Sequence, residues 1–267
     1  MKQERFDNMT VKEIYWYPRK RFFFVLPIII PLLGCIYVDV LKNGFDISLS
    51  TWLVAIIYFI LMYFLITSNK KVENMIDDML FQQINLKKYR DYINYYSSKQ
   101  NKLVPGIEIK RAIVAFYYGD FAATKSTIDN IIAKQSRIIV PKTTILVAKY
   151  YFILSLIHSK EDNVLIELKI QELDETRYGK YDELKNRLLE NCRQIHQIVT
   201  KESLVEGFEN IFGSKELHII MFHYYTALNY LNQNQPEEAK PCFREIANEN
   251  PELFYVKEAK KYLGEAV

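Results

Sequence analysis

Glycine, histidine and cysteine are scarce in this chain of 267 residues, at 8, 4 and 3. With so little glycine there is no phosphate loop: neither G-x-x-x-x-G-K-[ST] nor G-x-G-x-x-G occurs. G-x-S-x-G and H-E-x-x-H are absent too, so the sequence offers no hydrolase or zinc-protease signature. His218 and His223 are five apart and do not share a helix face as i, i+4 metal ligands would. Cys35, Cys192 and Cys242 lie far apart without a C-x-x-C, which excludes a disulfide framework and suits a reducing compartment. From residue 68 onward the charges nearly balance, and no basic excess of the kind a nucleic-acid binder shows on one face stands out. No alternating pattern of useful length supports a β-sheet. The expectation is an all-α protein that is not an enzyme, holds no cofactor or metal, and binds no nucleic acid.

Charge is also missing from two long apolar stretches. Phe22–Val38 and Leu49–Thr67 contain no Asp, Glu, Lys or Arg. A bilayer core about 30 Å thick requires roughly 20 apolar helical residues, with about 17 as the lower limit. Both stretches qualify, and only Asp39–Ser48 separates them, so the pair predicts a transmembrane hairpin over 22–67, with helices at 22–40 and 49–67. A soluble helix would keep a polar face, and these stretches have none. A cleaved signal peptide fits poorly, because the first stretch starts 22 residues in and a second follows at once. Trp16 and Trp52, with Tyr15, Tyr17 and Tyr37, stand where rings favour the headgroup zone. Arg19, Lys20 and Arg21 precede the first span, and Lys70 and Lys71 follow the second. The intervening loop has Lys42 alone. By the positive-inside rule both termini are expected in the cytoplasm, at a plasma membrane. Abundant Lys, Asn, Ile, Tyr and Phe point to a bacterial source. Pro27, Pro31 and Gly34 within the first span predict a bent anchor helix, against which another membrane protein could pack.

From residue 68 onward the charges nearly balance and the pattern is helical. Apolar residues recur every three or four positions from Lys71 to Tyr96, which predicts a juxtamembrane stalk helix within 68–104. A break closed by Pro105-Gly106 opens a domain spanning 105–267. Its punctuation predicts helices at Ile107–Tyr118, Phe121–Lys134, Pro141–Ser159, Asn163–Leu173, Tyr181–Thr200, Glu202–Phe212, Lys215–Asn232 and Glu237–Asn248, then a last one from Pro251 to Leu263. Paired helices joined by short turns predict an α-solenoid.

The stretch His218–Pro251 carries a more specific pattern. Ala239 follows Ala227 by twelve, Phe243 lies four further on and Pro251 eight beyond that. Tyr230 stands three after Ala227. This resembles the tetratricopeptide repeat, with His223 in place of the usual Trp and Thr226 in place of Leu. A weaker copy runs through Ala112, Ala115, Gly119-Asp120-Phe121, Thr124 and Ile128, and a third lies around Ala148, Tyr151 and Leu168. The resemblance implies a helical groove, lined by the first helix of each repeat, that takes a peptide or protein. On this chain those positions are Lys110, Arg111 and Val114, then Lys149 and Phe152, then His223, Thr226 and Asn229. The expected role is a membrane-anchored adaptor or scaffold with a protein partner and the lipid bilayer. The alternative is an accessory subunit of a membrane transport, secretion or enzyme complex.

Overall fold

A computed structural model of the chain describes residues 8–43, 49–100, 104–134, 139–208 and 213–265, with only the backbone path given at 21 and 43. Every regular element among these residues is a helix. Contacts divide the chain into two units, Met1–Asp78 and Met79–Val267.

The first unit contains α1 (Val11–Asn43) and most of α2 (Leu49–Phe81). A reciprocal cap starts α1: the Thr10 main-chain N–H donates to Glu13 Oε2 at 2.8 Å, and Glu13 N–H returns to Thr10 Oγ1 at 3.3 Å. Pro18, Pro27 and Pro31 lie inside α1, so its backbone ladder lacks three donors. Both helices are long and apolar enough to cross a membrane. Over residues 22–67 many of their apolar side chains are exposed, Phe24 at 80% and Tyr63 at 71%. Near the connection between the two helices, the Thr51 hydroxyl donates to the Asp39 carboxylate. Arg19 lies 3.6 Å above the Tyr15 ring and donates to the Tyr15 carbonyl at 2.7 Å. Trp16 is half-buried, and Lys20, Trp52, Lys70 and Lys71 are exposed. The side chain of Arg21 falls outside the described residues.

The stalk expected to run on to Tyr96 is interrupted. α2 stops at Phe81, and α3 (Leu86–Ser98) begins afresh, with Asn85 Oδ1 accepting from Lys88 N–H at 3.0 Å. Ile84 sits between them at φ +53, a conformation costly for a β-branched residue. Its carbonyl accepts from Asn250 Nδ2 at 2.7 Å, a contact from the far end of the sequence. The break is therefore made by tertiary structure, and α3 packs on the next helix as part of the second unit.

That unit continues with α4 (Pro105–Tyr118), α5 (Phe121–Lys134), α6 (Lys142–His158), α7 (Asn163–Glu175), a 3₁₀ turn (Gly179–Tyr181), α8 (Asp182–Val199), α9 (Glu216–Asn232), α10 (Pro236–Ala247) and α11 (Phe254–Leu263). The pairs α4–α5 and α9–α10 pack closely. Small residues make the approach possible: Ala227 and Ala239 are buried in one pair, Ala112 and Thr124 in the other. The Thr124 hydroxyl reaches the Ala112 carbonyl at 3.2 Å, so these residues, twelve apart in sequence, meet at the crossing of α4 and α5. The helix expected over Glu202–Phe212 does not form: residues 202–208 are non-helical, and 209–212 fall outside the described residues.

An aromatic core joins helices far apart in sequence. Phe116 of α4 contacts Tyr151 of α6 at 5.2 Å and His158 at 5.8 Å between ring centroids. Tyr117 Oη lies 2.8 Å from Tyr151 Oη. His158 Nε2 lies 2.7 Å from Tyr225 Oη of α9, which lies 3.3 Å from Tyr255 Oη of α11. The last helix thus returns to the first pair, where the Tyr118 carbonyl accepts from Lys257 Nζ at 3.4 Å. Gly119 closes α4 at φ +87, and a Cβ there would sit 3.2 Å from Phe254 Cδ2. Gly119→Ala is expected to lose about 1–2 kcal/mol of stability, read as a lower urea midpoint. Gly264→Ala, at φ +75 with open space around it, is the control for backbone strain without that contact.

Candidate interaction face

Three helices carry the residues singled out for a groove, and they meet different fates. On α4, Arg111 and Val114 line a cavity of about 270 Å³ together with Arg90, Asn94 and Tyr118. Arg111 is engaged there, donating to Glu108 at 2.5 Å and to Ser97 Oγ at 2.8 Å. Lys110 is half-buried beside it in sequence. On α6, Lys149 Nζ donates to Thr176 Oγ1 at 3.4 Å. Burial lowers the Lys149 pKa and the Glu172 carboxylate opposes that shift. Phe152 is half-buried. Neither Lys149 nor Phe152 lines the α4 cavity.

On α9 the face is well defined and already occupied. Asn229, 7% exposed, accepts from Val205 N–H at 2.9 Å and donates to the Val205 carbonyl at 3.0 Å. Asn232 Nδ2 donates to the Ser203 carbonyl at 3.3 Å and to the Ile198 carbonyl at 2.9 Å. Phe222 stacks on Phe208, with centroids 5.8 Å apart and planes 14° from parallel. Thr226 lies between them on the helix, its Oγ1 buried without a hydrogen-bond partner among the described residues. His223 is half-buried and touches the Phe222 ring at 5.8 Å. Helical spacing puts Phe222, Thr226 and Asn229 on one stripe. Asn232, Phe222 and the residues 203–208 that they and Asn229 meet were not singled out from sequence. Their signal, amides at i and i+3 beside a long connection, becomes meaningful once residues 202–208 are known not to be helical.

A second concavity, about 530 Å³, lies between α7 and α8 and reaches Ser203. Glu167 bonds Lys201 at 2.8 Å and Asp174 bonds Arg193 at 2.7 Å. His196 is buried there with its Nε2 4.0 Å from Glu167. Burial, then Lys201, lowers the His196 pKa, and Glu167 opposes them. No group of three potential metal ligands occurs among the described residues. Cys192 is 0% exposed, and that burial pushes its thiol pKa up. In comparisons with family models, with curated proteins and with solved structures, nothing matches this chain.

Proposed function

We propose that this protein is a membrane-anchored interaction module, in which a two-span hairpin tethers a domain of tetratricopeptide-like helical pairs that holds a peptide or protein partner on the cytoplasmic side. The observation that carries the reading is the outward-facing apolar surface of α1 and α2, where Phe23, Phe24, Ile30, Phe59, Ile60 and Tyr63 are all exposed. Soluble proteins rarely leave contiguous apolar patches of more than a few hundred Å² to water. Lipid is the solvent in which such helices are stable, because their backbone groups are already paired within the helix. Tethering raises the effective concentration of the domain near partners in the same membrane. Closely packed pairs with small residues at the crossings support the repeat reading. The α9 face, whose amides meet main-chain groups, supports peptide binding.

A second reading is favoured by α1. A Cβ at Gly34 would meet nothing within 4 Å, and Pro27, Pro31 and Cys35 are exposed beside it. Small residues on a span allow another membrane helix to approach closely, as in a subunit of a larger membrane complex.

Both readings require insertion. The full chain is expected to stay with the membrane pellet through an alkaline carbonate wash. Ile57→Lys with Ile60→Lys adds about 2.5–3.5 kcal/mol of insertion cost per lysine and should release or destroy the protein. Recovery of the unaltered chain in the wash would refute the anchor. Exchanging residues 1–67 for an unrelated anchor separates the two readings: a partner retained supports the adaptor, and a partner lost supports the subunit.

A further inference from the structure

The connection from α8 to α9, residues 200–215, is long for a helical bundle, and connections of that length that are not linkers usually serve a function. Its first part crosses the α9 stripe as a strap. Ser203 N–H donates to the Gln197 carbonyl at 3.1 Å, and the Leu204 carbonyl accepts from Gln197 Nε2 at 3.0 Å. Asn229 takes both main-chain groups of Val205, and Asn232 takes the Ser203 carbonyl. Three carboxamides therefore hold backbone atoms, which any extended peptide possesses. Side-chain selection is confined to two places: Val205 is buried, and Phe208 stacks on Phe222.

Ser203 meets Asn232, Val205 meets Asn229 and Phe208 meets Phe222, so the strap runs antiparallel to α9, with a turn at 206–207 ahead of Phe208. Glu202, just before the strap, sits at φ +48, a strained conformation for a residue with a side chain, whereas glycine adopts the φ +61 of Gly207 freely. A separate peptide need not adopt the left-handed turn that Glu202 makes to leave α8. Leu204 and Glu206 face solvent, so the apolar burial that opposes release is confined to Val205 and Phe208.

We propose that the stripe Phe222, Thr226, Asn229 and Asn232, with Gln197, is a binding site for an extended partner peptide bearing a branched aliphatic residue and, three positions on, an aromatic one. Residues Ser203–Phe208 are its resident occupant, and a partner binds by displacing them. This deepens the interaction-module reading and names the face that reading would use. A resident occupant lowers the apparent affinity of a competitor by the fraction of time the site is open.

The test uses the full chain in detergent micelles and a fluorescein-labelled peptide TKESLVEGF, the sequence of Thr200–Phe208, read by anisotropy. Val205→Asp with Phe208→Ala weakens the strap and should tighten peptide binding at least tenfold over the unaltered chain. Adding Asn229→Asp, which still accepts from an N–H but cannot donate to a carbonyl, should weaken it at least tenfold again. Equal binding by unaltered and strap-weakened chains, no effect of Asn229→Asp, or equal binding of a scrambled peptide overturns the proposal. Should the strap-weakened chain misfold, hydrogen exchange on the unaltered chain decides. Saturating peptide must speed exchange at Ser203 and Val205, and unchanged exchange refutes displacement. These readouts do not depend on membrane retention or partner recovery, so the strap can fail while the anchored module stands, and the reverse.

Discussion

Phe116→Ala is expected to cost about 3–5 kcal/mol of unfolding free energy, the range for truncating a fully buried aromatic ring. Phe116 is 0% exposed, and its ring meets Tyr117, Phe121, Tyr151 and His158 at 5.2–5.8 Å between centroids. The cavity left behind could not collapse easily, because those neighbours are held by other bonds: Tyr151 to Tyr117 at 2.8 Å, and His158 to Tyr225 at 2.7 Å. The loss should therefore approach the upper end of the range. Val164→Ala is the control: Val164 is 72% exposed on α7, and surface substitutions usually stay within about 0.5 kcal/mol. Denaturant unfolding of the full chain in detergent, followed by circular dichroism, measures both. Equal losses for the two variants would show that the aromatic cluster is not the core of the second unit.

A second large effect is expected from pH. Burial lowers the pKa of His158 from 6.5 to about 3, since a charged imidazole among Phe116, Phe121 and Phe254 would lose its hydration. In the unfolded chain the same ring titrates near its ordinary value. Between these two pKa values the unfolded state binds the extra proton, so stability rises with pH across that window. The contribution of the neutral ring is complete above about pH 6.5, declines as pH falls, and levels off below about pH 3. The slope from this group alone is about 1.4 kcal/mol per pH unit. His158→Gln keeps a side chain able to bond Tyr225 and removes the titration, so its stability should fall less steeply between pH 6 and pH 4. Identical slopes would mean that the unaltered ring keeps an ordinary pKa in the folded protein.

Much of the helical layout was legible without coordinates. Phe121–Lys134 matched its predicted bounds, and the third predicted helix differed by one residue at each end, because Gly119-Asp120 and Pro141 are local stop and start signals. The two misreadings have one cause. Periodicity ran unbroken through Gln82–Asn85, yet Asn250 draws the Ile84 carbonyl and bends the chain there. Glu202–Phe212 had helical spacing, yet Asn229 and Asn232 bind the main-chain groups of 203–205 that a helix would have used for itself. Of the groove residues, Asn229 was found from a repeat register, but its role depends on a strap that the register could not show.

By itself the sequence determined the two uncharged stretches, the helical class and the small residues at Ala227 and Ala239, since apolar period, caps and breakers act over a few residues. Only tertiary structure decided that α11 returns to α4, that Ile84 adopts a left-handed turn, and that Ser203–Phe208 lies along α9. Each of these rests on contacts between residues distant in the chain, and such contacts can override a local preference worth a few tenths of a kcal/mol per residue.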